Sequence, residues 1–167
     1  MELKIAISQK GKIFEGKSQE IINDALTSAM YEATAFLERE VKKRTPIGVF
    51  GAAGGLKASI HGEVISKGTA VVKGIVGHQS VYGDVIEKGR RAGKAWPPEG
   101  SLLRWMEVKL GMDSGTAKRM EFIVRRKIGK KGFTGAFMFE KAFNENINKI
   151  QKIFDNAGFE IAKALNE

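Results

Sequence analysis

The sequence predicts an α+β fold: a small antiparallel sheet, formed by an N-terminal strand and a hairpin, packed against a long N-terminal helix and C-terminal helices. Three observations predict it. Apolar residues recur at steps of three and four from Ile22 to Phe36, and again from Phe139 to Leu165. Between these stretches lie two extended runs rich in Ile and Val, Leu56–Ile65 and Thr69–Val76. No internal repeat, low-complexity tract or linker interrupts the chain, so residues 1–167 read as one domain.

Each element has its own signal. Residues 2–7 alternate, with Leu3, Ile5 and Ile7 on one face, which predicts a short strand. Ser18 stands where a helix N-cap belongs, and Glu20 follows in the first turn. Ile22, Ala25, Ala29, Ala33 and Phe36 then form a stripe that Ile21, Leu26, Met30, Leu37 and Val41 widen. The helix closes on Lys42, Lys43 and Arg44, where cations suit the dipole, and Pro46 turns Thr45 away from helical angles. Residues 47–55, IGVFGAAGG, hold four glycines and read as a flexible loop. The same segment also suits an arm that orders on a neighbour through Val49 and Phe50.

Ser66, Lys67 and Gly68 separate the two Ile/Val runs and predict a hairpin. Tyr82–Glu87 predicts one helical turn with Val85 and Ile86 inward. A basic loop, KGRRAGKAWPP, follows. Ser101 is placed to cap a short helix that Gly111 ends, and Asp113 or Ser114 to cap the next. That helix carries Ala117, Met120, Ile123, Val124 and Ile128 as its apolar stripe, with Gly129 closing it. After the turn-rich GKKGFTG, the last helix runs from about Ala136 to Leu165 through Phe139, Phe143, Ile147, Ile150 and Phe154.

Composition bounds the function. Apolar residues make up 43% of the chain and charged residues 28%, a globular balance. There is no cysteine, so disulfides and thiolate chemistry are excluded. No apolar run is long enough to span a membrane, and the N-terminus lacks the apolar core of a signal peptide, so folding in the cytoplasm is expected. The net charge of +9 points to a polyanion or an acidic protein face as neighbour.

Catalytic signals are weak. His61 and His78 are 17 residues apart and form no helical ligand pair. Asp84 and Glu87 could share a helical face, yet Lys88, Arg90 and Arg91 crowd them, and ion pairing is the plainer role. GVFGAAGG lacks the Lys-Ser/Thr of a phosphate loop, and no G-x-S-x-G elbow exists. The chain therefore reads as a non-enzyme, with no catalytic, cofactor-binding or metal-binding residues expected. Two basic clusters remain: Lys88, Arg90, Arg91 and Lys94, then Arg125, Arg126, Lys127, Lys130 and Lys131. They suit subunit contacts or a solvated face, and they could also meet phosphates. Trp105 is expected in the core, and Trp96, in a loop, at an interface.

The order VKKRTPIGVFGAAGGLKASIHGEV, YGDVIEKGRR, KKGFTGAFMFEKAF resembles the gene-product-ten-like family of bacteriophage Hong Kong ninety-seven. Its motif positions match Thr45, Pro46, Leu56, Ser59 and Ile60, then Tyr82, Val85, Glu87 and Gly89, and finally Phe137 or Phe139 with Ala142. The family often has an Asp-Thr-Gly step where this chain has the glycine segment. The resemblance implies a virion protein of the head–tail junction, a neck or tail-completion subunit made in the host cytoplasm. It implies a homo-oligomeric ring, hexameric or dodecameric, between portal connector and tail tube. Partners would be other neck, connector and tail proteins, with double-stranded DNA passing through the lumen without sequence-specific binding, and no membrane. The competing expectation from charge alone is a basic nucleic-acid-binding protein.

Overall fold

The computed structural model describes residues 16–50, 55–66 and 71–166. The strand expected over residues 2–7, the centre of the glycine segment and the hairpin turn lie outside these. The fold is α+β. Helix α1, Ser18–Arg44, is followed by a single turn, α2, Gly55–Ala58. Strands β1, Ile60–Ser66, and β2, Val72–His78, pair into a two-stranded antiparallel sheet. Helix α3, Gly83–Lys88, runs straight into the two-residue strand β3, Gly89–Arg90. Helices α4, Leu103–Leu110, and α5, Ser114–Lys131, precede β4, Phe133–Thr134, and α6, Met138–Asn166, completes the chain.

The termination of α1 follows its chemistry. Glu40 accepts from Lys43 at 2.6 Å and from Arg44 at 2.8 Å, within the last turns. These two partners, Lys43 first, hold its carboxyl well below the usual range, at about 2. The Thr45 hydroxyl donates to the Val41 carbonyl at 2.8 Å, satisfying one of the orphan acceptors of a helix end.

Contacts divide the chain into two compact units. The first holds α1 up to Leu37, the residues Gly62–Val76 and α6 from Glu145 onward. In it Ala29, Ala33, Thr34 and Asn146 are buried. Gly74 on β2 meets α1 so closely that a Cβ there would lie 2.5 Å from Thr34 Oγ1 and 2.6 Å from Met30 Sδ. No other residue fits without moving one of them. The second unit holds Glu38–His61 and Gly77–Asn144. Its core is Val41, Leu56, Ile60, Met106, Ala117, Met138 and Ala142.

Several expectations need correction. Leu56–Ala58 forms a helical turn rather than the start of a strand, and the Ser59 hydroxyl closes it on the Leu56 carbonyl at 2.8 Å. Ser101 does not cap α4: its hydroxyl donates to the Pro98 carbonyl, and Leu102 occupies the cap position. Gly111 does end α4, with φ 64°, and Asp113 caps α5 by accepting from the Thr116 N–H at 3.0 Å. Helix α5 passes through Gly129 and stops at Gly132, whose φ is 66°. Its buried line is Ala117, Glu121 and Gly129, whereas Met120 and Ile123 are exposed. The cause is Glu121, whose two oxygens accept from the Gly100 and Leu102 N–H groups at 3.1 Å each. Meeting the start of α4 turns the helix so that Glu121 points in. In α6 the buried positions are Met138, Ala142 and Asn146, one residue before the expected Phe139, Phe143 and Ile147. Trp105 is 41% exposed and not a core residue.

Candidate functional site

Glycine and short backbone pairing bring the two basic clusters together. Gly89 has φ 73°, a left-handed angle that side chains resist, and a Cβ on it would strike the Phe133 carbonyl and the Gly135 nitrogen. The bare backbone lets β3 pair with β4, Gly89 opposite Thr134 and Arg90 opposite Phe133. Gly132 abuts the backbone of Arg90–Ala92 in the same way, and the Gly93 N–H donates to the Gly129 carbonyl at 2.8 Å. Residues 89–93 are thereby laid along residues 129–135.

Two of the nine cations in this region work inward. Arg90 donates to the Ala95 carbonyl. Arg125 Nε donates to the Pro97 carbonyl at 2.8 Å, and its guanidinium lies 3.9 Å from Glu99. Both fasten the Trp-Pro-Pro loop. Trp96 lies on Gly129 and meets Phe122 edge-on, with ring centres 5.6 Å apart. The other seven, Lys88, Arg91, Lys94, Arg126, Lys127, Lys130 and Lys131, are exposed. No Asp or Glu occurs from Lys88 to Pro98 or from Phe122 to Phe139. Of the chain's 28 Lys and Arg, these segments hold nine, and the remaining 19 balance the 19 Asp and Glu. These two segments alone thus carry nine positive charges and no negative one, as many as the net charge of the chain. Trp96, Phe122 and Phe133, at 40%, 55% and 39% exposed, add aromatic surface to it.

The carboxylates expected to pair with these cations, Asp84 and Glu87, act elsewhere. Glu87 accepts from the Phe139 and Glu140 N–H groups at 3.2 Å each, capping α6 from 52 residues away. Its own carbonyl accepts from the Phe137 N–H at 3.0 Å, fixing that residue at a left-handed φ of 52°. Asp84 is exposed and lies 3.6 Å from His78 Nε2. The His78 ring packs on Gly83 and against Phe139, 5.9 Å between centres. His61 is exposed on β1. Among the described residues, no three metal-ligating side chains converge.

The remaining candidates separate into surface and frame. Phe50 is 68% exposed, and Val49 is half-buried. Of the positions that carry the resemblance, Thr45, Leu56 and Ile60 are buried, Gly89 is sterically required, and Glu87 is the cap, whereas Pro46 is exposed. Tyr82 is 43% exposed, with its hydroxyl beside Gly55. In the first unit, Leu26, Met30, Val71, Val72 and Phe154 line an apolar depression of about 280 Å³ that offers no group for catalysis. Sequence reasoning missed Phe122 and Phe133 as surface aromatics. The signal available for them was their place inside the acid-free runs. No described helix is long and apolar enough to cross a membrane. Comparison of the chain with known protein families, curated proteins and solved structures finds no match.

Proposed function

We propose that the protein is a structural subunit of a phage head–tail junction, assembling as a homo-oligomeric ring between portal connector and tail tube. The observation that carries the reading is the cationic surface with exposed aromatics, built from two runs of sequence that hold no Asp or Glu. It is an exposed face, and aromatics with arginine are the residues that anchor macromolecular contacts. The frame behind it uses positions of the resemblance, Glu87 and Gly89, to hold that face in shape. Asp84 and Glu87 have other partners, which weighs against their serving together as an acid–base pair. The concentration of charge also suits a nucleic-acid-binding protein, the second reading.

The two readings separate by mass and by salt. The ring reading expects sedimentation of the purified protein as one closed oligomer, and micrographs of the virion neck that place it there by antibody labelling. A protein that remains monomeric and binds a DNA sequence at nanomolar affinity in physiological salt is a nucleic-acid reader instead.

A further inference from the structure

The exposed face of α5 carries Arg119, Phe122, Ile123, Arg126, Lys127 and Lys130, at steps of three and one that keep them on one side of the helix. It combines cations with two large apolar side chains, each 55% exposed. A phosphate backbone would neutralise the charges but give Phe122 and Ile123 nothing to bury them. A protein face that is acidic and also carries apolar surface meets both needs.

The chain itself has such a face. No Lys or Arg occurs from Ser18 to Glu38. Along α1 the exposed residues Glu20, Asp24, Ser28, Tyr31 and Ala35 follow steps of four and three, with Glu32 beside them. The stripe is acidic, and Tyr31, 59% exposed, gives it apolar surface of its own beside Ser28 and Ala35.

We infer that the occupant of the α5 face is a second copy of this chain, docked through the acidic face of its α1. This inference rests on the ring reading and specifies its contact. The contact joins two different faces, so a docked pair still offers one free α1 face on one copy and one free α5 face on the other. Head-to-tail contacts of this kind propagate, and they form a ring when the rotation between copies closes. Charge complementarity of exposed faces also makes the association salt-sensitive.

The test is a charge exchange on full-length protein. One variant is Asp24→Lys with Glu32→Lys, and the other is Arg126→Glu with Lys127→Glu. All four residues are exposed, and they avoid the first turn of α1 and the last turn of α5. Sedimentation and light scattering are measured from about 0.05 to about 0.5 M salt. Each variant alone is expected to weaken association about tenfold or more, because like charges then face each other. Mixed in equal amounts, the two variants are expected to reassemble as alternating copies, which also shows that both are folded. If the wild type forms an oligomer that both variants retain, or if the mixture fails to reassemble, the docking is wrong while the ring reading stands. If the wild type stays monomeric at every concentration, both fall. If the Arg126/Lys127 variant loses binding to a DNA duplex while its oligomer is unchanged, the α5 face belongs to nucleic acid and the proposal is overturned.

Discussion

Replacing Glu87 by Ala removes an interaction that no neighbour in sequence can replace. The carboxylate receives two backbone N–H groups at 3.2 Å, from Phe139 and Glu140, in the first turn of the 29-residue helix α6. Loss of a capping side chain costs about 0.5–2 kcal/mol. The anion also opposes the helix dipole, worth about 0.3–1 kcal/mol. Together they give about 2 kcal/mol for Glu87→Ala, and about half of that for Glu87→Gln, which keeps one acceptor oxygen but loses the charge. For a chain of this size each kcal/mol moves the melting temperature by about 2–4 °C, so Glu87→Ala is expected to melt about 4–8 °C lower. Thermal unfolding followed by circular dichroism measures this. Amide exchange adds a local readout, with Phe139 and Glu140 losing protection first. Asp84→Asn is the control, since the Asp84 side chain is 80% exposed, and it should stay within about 0.5 kcal/mol of wild type. Should Glu87→Ala melt with the wild type and leave both amides protected, the long-range cap does not hold the start of α6.

Other outcomes follow from the same structure. Glu40 titrates at about 2, held down by Lys43 and Arg44, so its ion pairs stabilise fully above the ordinary carboxylate value of 4.5 and that contribution is lost as pH falls toward 2. An NMR titration should show Glu40 moving back up toward 4.5 in a Lys43→Ala, Arg44→Ala double variant. Gly89→Ala should prevent stable folding or cost several kcal/mol, since both the angle and the Phe133 and Gly135 backbone oppose a Cβ. Gly93→Ala, with φ 76° but open space around it, should cost only about 1–2 kcal/mol in urea unfolding. Phe50→Ser should leave the melting temperature of the monomer almost unchanged, because Phe50 is 68% exposed, while weakening the oligomer in light scattering. A loss of several kcal/mol in the monomer would instead make Phe50 part of the fold.

Helix α1 was legible because its signals are local: a run of correctly spaced apolar residues, a basic last turn and Pro46 beyond it. The face of α5 and that of the first turns of α6 were not, whereas Ile150, Phe154, Ala157, Ile161 and Leu165 further along α6 are half-buried on the expected line. Apolar periodicity assumes that the buried line is apolar, and here Glu121 and Asn146 occupy it. Glu121 is buried because its partners are backbone groups about twenty residues earlier, a relation that spacing does not encode. Ser101 failed as a cap for the same reason, since the Glu121 carboxylate already serves the start of α4. The union of the two basic clusters depends on β3 and β4, which are two residues each and too short to carry a pattern. The glycines that allow that pairing were visible in KGRRAGKAWPP and GKKGFTG only as turns. By contrast, the acid-free runs on either side were fully readable, and they contain every cation of the joined surface.

The seating of Trp96 gives this chain a built-in optical probe. Its indole rests on Gly129 and meets Phe122, beside the cations Arg126 and Lys130 on the same helix. Any partner that covers this face must change the solvent around an indole that is 40% open, and emission wavelength responds to that polarity. The second tryptophan, Trp105, lies on α4 and is 41% open, so it contributes a signal of its own. Exchanging Trp105 for Phe would leave a single emitter at the edge of the basic surface. Docking could then be followed in real time without attaching a dye, and quenching by iodide and by caesium would read the sign of the local field directly.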